Sequence, residues 1–350
     1  MTTTKKKWEN SPMMRAMRCQ STDRVPIWLM RQAGRYMQEY RAVREKTSFL
    51  DLCKNPSLAA EVMLTAVDKL GVDAAIIFSD ILLILDPMGF PLEFKPEGGP
   101  VLHNPIRSSE DVKRVIELSD LEPLKFVFDV VAKTREGLSE ELPLIGFAGA
   151  PFTLAAYAIE GGSSKDFIAT KSFMLTNTAA WHQLMVKISH SVAKYLNAQV
   201  DAGAQIVQLF DSWAGCLSED DYRTYVMRHT RTLIELIRPG VPVVHFGTGN
   251  PALIPLMKET GGNVIGVDWR VSLDNACDMV GPDLAIQGNL DPAVLLTNPD
   301  VIYRMVRRIL DMTNRRHGHI FNLGHGVLPQ TPVENAIALV EAVHELGRHY

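Results

Sequence analysis

Cysteine is scarce in this chain, and the patterns that announce a metal or an organic cofactor are missing with it. Cys19, Cys53, Cys216 and Cys277 are the four cysteines, and no two of them form a Cys-x-x-Cys pair. That spacing argues against a disulfide framework and a structural zinc site, and predicts reduced thiols used as small apolar fillers. No apolar run approaches the ~20 residues of a membrane helix; the longest candidate, 74–85, is broken by Ser79 and Asp80. The N-terminal lysines have no apolar stretch behind them, so no secretory signal is read there and a cytoplasmic protein is expected. Neither sign of charge is in excess, with 36 basic and 40 acidic side chains and a formal net charge of −4. The only basic run, Lys5-Lys6-Lys7, is too short for a nucleic-acid footprint. Gly161-Gly162 follows Glu160 without a preceding strand and a G-x-G-x-x-G spacing, and reads as a turn and not as a phosphate cradle.

What is present is a globular composition, 350 residues with 46% hydrophobic and 22% charged, enough for a substantial core. Eight short apolar runs cover 25–30, 74–78, 144–148, 205–210, 241–246, 263–268, 284–287 and 319–323. Helical patterns separate most of them, among them Ser57 to Leu70, Leu124 to Gly137, Ser172 to Ala202, Ser218 to Ile237 and Pro332 to Leu346. Continuous apolar strands alternating with helices predict an α/β protein with a parallel sheet covered by helices. The count favours a closed (βα)8 TIM barrel over an open, doubly wound sheet. The Pro- and Gly-rich segment 86–106 reads as an excursion from it. Neither a repeat nor a linker divides the chain, so one domain is expected over 10–350, preceded by a disordered 1–9.

Positive charge is placed, not spread. Arg31, Arg35, Arg41 and Arg44 fall within fourteen residues directly after the first apolar run. A planar guanidinium makes forked hydrogen bonds to a carboxylate, so this cluster is a candidate site for several carboxylates. Arg41 and Arg44 lie in QEYRAVREK, which alternates charge at helical spacing, and for them a solvated helix face has equal weight. Arg31 and Arg35 flank Gln32-Ala33-Gly34 with no acidic neighbour before Glu39, which favours a ligand. Other apolar runs also end in polar groups: Ser79 and Asp80, Gly146 to Gly149, Asp211 and Ser212, His245, Asp268, Asn289 and Asp291, Asn322 and His325. In a barrel these ends converge on one mouth. For Asp211, Asp268 and Asp291 a helix cap is the stronger reading. For Asp80 it is the weaker one, because five apolar residues follow.

Arg31-Gln32-Ala33-Gly34-Arg35-Tyr36, Ile77 to Leu82, Gly146 to Thr153, Phe210-Asp211-Ser212-Trp213-Ala214-Gly215 and Asn322-Leu323-Gly324-His325-Gly326 together resemble the uroporphyrinogen decarboxylase family, in order and over nearly the whole chain. The resemblance implies a cofactor-free, metal-free (βα)8 enzyme, typically a homodimer. Its reaction would remove CO2 from the acetate side chains of the tetrapyrrole uroporphyrinogen III to give coproporphyrinogen III. By position it implies substrate-binding roles for Arg31, Gln32, Arg35, Asp80, Tyr157, Ser212 and His325. Asp80, Arg31, Tyr157 and His325 would serve catalysis as well. It also suggests an arginine as proton donor; His325 or a water oriented by Asp80 is the physically easier donor, and His325 could equally be a neutral donor to a substrate carboxylate. Met37-Gln38, Ser163 and Cys216 depart from the usual family pattern, and none is a proposed catalytic group. The alternative is a zinc-dependent corrinoid or thiol methyltransferase of the same superfamily. It needs His-x-Cys at a strand end and a later cysteine, where this chain has His245-Phe246-Gly247 and Gly324-His325. A non-catalytic tetrapyrrole carrier is the third reading, opposed by Asp80 among the arginines.

Overall fold

The computed structural model describes residues 7–95 and 99–348. Seven parallel strands form one sheet in the order β1 (Ala75–Ile76), β4 (Leu144–Gly149), β5 (Ile206–Asp211), β6 (Val243–Gly247), β7 (Val264–Gly266), β8 (Ala285–Gln287) and β9 (His319–Ile320). A separate antiparallel hairpin, β2 (Leu92–Lys95) and β3 (Gly99–Leu102), occupies the proline- and glycine-rich excursion. All six residues of β4 are buried, as expected for strands covered on both faces.

The sheet is curled, and its interior hydrogen bonds show it. Trp28 Nε1 donates to Gln287 Oε1 (2.9 Å), and Gln287 Nε2 donates to Gln208 Oε1 (3.1 Å). Gln208 on β5 and Gln287 on β8 are three strands apart in the sheet order. In a flat sheet they would be separated by about 14 Å. Direct contact requires the sheet to bend back toward itself.

Helices cover the outside. Pro56–Leu70 starts where the Asn55 side chain accepts the Leu58 N–H and stops at Gly71, whose φ is +68°. It packs on Lys125–Gly137, and both bury an apolar stripe. The single helix expected over Ser172 to Ala202 is two, Ile168–Thr176 and Thr178–Ala202, because Asn177 leaves helical geometry (φ −120°, ψ 46°). The helix expected from Ser218 to Ile237 contains a π-helical turn, Tyr222–Val226. From the second of the split pair, Gln199 reaches β4, accepting the Phe147 N–H (2.9 Å) and donating to its carbonyl (3.0 Å). Of the segment expected to be disordered, residues 1–6 lie outside the described ones, and Lys7 to Glu9 fall in the 3-10 turn Lys7–Asn10. No described helix is long and apolar enough to cross a membrane.

The first apolar run does not become a regular strand. Ile27 makes one isolated parallel bridge, to Phe321. Pro26 has no N–H to donate, and the Ile27 N–H goes to the side chain of Asp73 (2.8 Å) instead of to a ladder carbonyl. The segment is nevertheless bonded on both sides. Phe321 N–H donates to Pro26 O (2.8 Å), and Asp73 N–H donates to Ile27 O (2.8 Å). Asp73, 3% exposed, also takes Arg24 Nη2 (2.5 Å) and His344 Nε2 (2.9 Å), the latter from the last helix, Val333–Leu346.

Removing this acceptor strands three donors at once. Asp73→Ala should therefore lower stability by about 3 kcal/mol, read as a lower denaturant midpoint with an unchanged slope. Asp73→Asn, which keeps an oxygen for Ile27, should lose less. Equal midpoints for Asp73→Ala and the parent would mean that the segment is held by its apolar contacts alone.

Candidate active site

Arg31 ends the first apolar run in a left-handed conformation, φ +62°, which costs a non-glycine residue roughly 1–2 kcal/mol. Its side chain is exposed, and its guanidinium makes no hydrogen bond or ion pair among the described residues. Its charge is felt by Asp80, Tyr157 and His325, so all three lie within its electrostatic reach. The stem lies across Gly326. A Cβ there would overlap Arg31 Cδ and stand 2.7 Å from Cγ. Gly324 is as constrained, since a Cβ would come within 2.7 Å of Trp269 N and 3.0 Å of Asp268 Cα. The glycines on either side of His325 thus admit Arg31 on one side and the Asp268–Trp269 segment that follows β7 on the other.

Asp80 follows β1 and keeps part of its surface accessible. Oδ1 accepts the Leu82 N–H at 2.8 Å, so the turn-forming role that the sequence made the weaker reading is present. Oδ2 bonds no described residue and is available to a ligand. Desolvation by the surrounding protein pushes this carboxyl above its usual range, against the Leu82 N–H and the Arg31 charge, which pull it down.

His325 is half-buried, and its Nδ1 accepts the N–H of Gly326 (2.8 Å). The proton is thereby assigned to Nε2. Burial first, then Arg31, hold the imidazole below the usual histidine range, with Asp268 acting the other way. At neutral pH it is a neutral N–H donor. That favours binding a substrate carboxylate over supplying a proton.

Tyr157, in the helix Pro151–Glu160, stacks on Trp213 with centroids 3.7 Å apart and planes at 25°. Burial and the Asp80 charge push its hydroxyl well above the usual tyrosine range, so it stays a protonated donor. Ser212, directly after β5, is partly accessible; Thr248 Oγ1 donates to its carbonyl (2.7 Å), and its own hydroxyl bonds no described residue. Arg35 is exposed and its guanidinium is likewise without a described partner.

Gln32 is placed differently from the ligand role expected for it. It is fully buried, accepts the Leu29 N–H (3.3 Å) and donates to Ala74 O (3.3 Å). Its amide fastens the arginine loop to the chain before β1 and so holds its neighbours in place. Arg41 and Arg44 also resolve as structural. Arg41 donates to the carbonyls of Arg35 (2.9 Å) and Tyr36 (2.8 Å), and Arg44 to that of Thr47. Asp291 caps the turn Pro292–Leu296 as read from the sequence, and Asp268 accepts from Gly249 N–H (2.8 Å), Arg270 N–H (3.0 Å) and the Arg270 guanidinium (2.5 Å). Asp211 caps nothing. It is fully buried between Thr153 Oγ1 (3.2 Å) and His245 Nε2 (3.4 Å). Among the described residues, no three His, Cys, Asp or Glu side chains gather in a way that could hold a metal ion.

The sequence pattern of the family described as uroporphyrinogen decarboxylase (URO-D) matches residues 8–346. The chain belongs to this family. Members named uroporphyrinogen decarboxylase from Carboxydothermus hydrogenoformans and Sorangium cellulosum are each 51% identical to it. Alignment with the first covers 97% of both chains, and with the second 96% of both. Among solved structures, a methyltransferase from Methanosarcina mazei is 20% identical with a TM-score of 0.80, covering 95% of this chain and 97% of its own. A B12-independent methionine synthase from a Shewanella strain is 10% identical with a TM-score of 0.58, covering 86% and 91%. At those identities the likeness is one of fold.

Two aromatic groupings in the structure had no local signal. Trp213 stands inside a quoted motif, but its stacking partner Tyr157 is far away in sequence. Phe147, Phe210 and Phe246 form an edge-to-face row across β4, β5 and β6, with centroids 5.4 and 5.8 Å apart, and alternation alone did not separate them from ordinary core.

Asp80→Asn keeps the oxygen that the Leu82 N–H needs. An Asp whose folded pKa is raised holds its proton more tightly folded than unfolded, so its ionisation at neutral pH costs stability, and removing the charge recovers it. The expected outcome is a melting temperature equal to or above the parent's, with decarboxylation kcat reduced by orders of magnitude. Near-normal kcat in that variant would reduce Asp80 to a turn residue.

Proposed function

We propose that the chain is a uroporphyrinogen decarboxylase that works without metal or organic cofactor, converting uroporphyrinogen III to coproporphyrinogen III in porphyrin biosynthesis. The observation that carries the reading is the grouping of Arg31, without a described partner, with Asp80, Tyr157 and His325. Arg35 stands unpaired in the same loop. The proposal includes a single domain over 10–350 whose sheet closes as a (βα)8 barrel, with Val25 to Trp28 as the eighth stave; its hydrogen bonds to Phe321 and Asp73 support this. It also includes a cytoplasmic homodimer. Ile168 (72% exposed) and Leu175 (55%), seven residues apart on one helix, are apolar groups that such an interface would cover.

The chemistry explains the residue types. Breaking the bond between an acetate methylene and its carboxylate leaves an electron pair that must go somewhere. A pyrrole protonated on a ring carbon accepts it as CO2 departs. The methylene then takes up a proton and the ring carbon gives one back, so the net change is one proton in and one CO2 out. The substrate is its own electron sink, and the protein supplies part of a barrier reduction that for enzymes generally is ~8–23 kcal/mol. Asp80 Oδ2 is assigned to the pyrrole N–H groups and to the positive charge that develops on protonation. Arg31 and Arg35 hold carboxylates, each charge-assisted bond contributing ~1.5–3 kcal/mol. The Nε2–H of His325 and the hydroxyls of Tyr157 and Ser212 supply neutral donors to the same groups.

Arg35→Ala should raise KM, and Arg35→Lys should recover little of the loss, because charge without the planar fork loses the paired geometry. Parent-like KM in Arg35→Lys would remove the bidentate model.

The test of the reading is anaerobic incubation with uroporphyrinogen III and chromatography of the oxidised products, before and after extensive dialysis against a chelator. Coproporphyrin at the same rate in both is expected. No decarboxylation, or activity lost to the chelator and restored by zinc, would turn the assignment toward the methyltransferase alternative.

A further inference from the structure

The strand ends hold a buried polar chain that the proposed reaction does not use. His245 on β6 and Asp211 on β5 are both fully buried, with His245 Nε2 3.4 Å from Asp211 Oδ2. Thr153, also fully buried and in the first turn of the helix after β4, donates its hydroxyl to Asp211 Oδ1 (3.2 Å). Its Oγ1 in turn accepts the backbone N–H of Trp213 (3.3 Å). Trp213 lies stacked on Tyr157, and Phe167 also packs on it, tilted, with a centroid 4.9 Å away. Three strand-end segments that are distant in sequence are thus bonded in series, ending on the turn that carries Ser212.

A carboxylate in this position is costly. Asp211 and His245 are both shut off from water, and an apolar filler would suit the position better on burial alone. What the pair accomplishes that a leucine would not is direction. Asp211 offers two acceptors at a fixed angle, one to His245 and one to Thr153, and so orients the threonine hydroxyl with its oxygen lone pairs toward Trp213. We infer that His245, Asp211 and Thr153 are positioning residues that fix the Ser212–Trp213 turn and, through the indole stack, the phenol of Tyr157. The roles of Ser212 and Tyr157 rest on the decarboxylase reading; the mechanical coupling does not.

Thr153→Val keeps shape and volume and removes the hydroxyl, while Thr153→Ser keeps the hydroxyl. The near-UV circular dichroism of the parent minus that of Trp213→Phe isolates the contribution of Trp213 held in its stack. Thr153→Val should lose most of this contribution and about tenfold or more in kcat/KM, and Thr153→Ser should retain both. A Trp213 signal that survives in Thr153→Val overturns the inference, whether or not activity falls. Should Thr153→Val fail to fold, amide exchange in the parent decides: slow exchange at Trp213, comparable with β5, supports the chain, and exchange at the rate of an open loop overturns it. If the parent proves not to decarboxylate uroporphyrinogen III, the spectroscopic and exchange results still decide the coupling, so the two readings fail separately.

Discussion

The carboxylate of Asp73 is the constraint on which the rest of this molecule hangs. It gathers Arg24, the Ile27 N–H and His344, so that one buried side chain joins the segment before β1, the first apolar run and the last helix. An irregular run containing Pro26 could not secure itself by ladder bonds alone. Once held, it places Trp28 in the interior, where the indole meets Gln287 and Gln287 meets Gln208. It also delivers Arg31 to the opposite end of the same segment, among Asp80, Tyr157 and His325. The ion pair at one end of the run and the binding charge at the other are consequences of the same few residues.

Stability has been spent at the site end. Arg31 stands at φ +62° with its charge unpaired among the described residues, and Asp80 has its carboxyl pushed up by desolvation. Neither state is favourable in isolation. They are tolerable because their surroundings are fixed independently: Gln32 fastens the loop to Ala74, Arg41 ties it through the carbonyls of Arg35 and Tyr36, and Gly324 and Gly326 hold His325 by close approach. The residues that look like ligands in sequence therefore divide into those that face the site and those that keep the first group in place.

That division marks how much the sequence could show. Apolar runs bounded by helices located seven strands to within a few residues, because continuous burial is written locally as continuous hydrophobicity. The eighth run was visible too, but its failure to form a ladder depends on which acceptor takes the Ile27 N–H, and that acceptor is Asp73, 46 positions away. Asn177 interrupts a helix that periodicity carried straight through, since the break costs the apolar stripe nothing. At the site, residue type and motif order pointed to Arg31, Arg35, Asp80, Tyr157, Ser212 and His325. They did not show that the Gln32 amide is buried against Leu29 and Ala74, because a buried amide and an accessible one are the same letters. Asp211 was misread as a cap for a similar reason: its partners, Thr153 and His245, lie 58 and 34 residues away.

The charges in the site also limit how a polyanionic tetrapyrrole can be recognised. Arg31 and Arg35 bring two positive charges and Asp80 removes one, so the group as a whole carries little net attraction for a molecule bearing many carboxylates. Most of those carboxylates must then stay in water or meet neutral donors. The structure has such donors in suitable states. His325 is held neutral with its proton on Nε2, and Tyr157 is held protonated. Neutral donors gain from the low dielectric around them without raising the potential at Asp80, whereas a further positive charge beside Asp80 would stabilise its carboxylate and oppose the cation that the proposed reaction develops there. Under the proposed reaction, a limit on positive charge beside Asp80 is therefore part of the chemistry. It turns selectivity for the substrate into a matter of donor geometry, and so of whatever fixes the directions of Tyr157, Ser212 and His325.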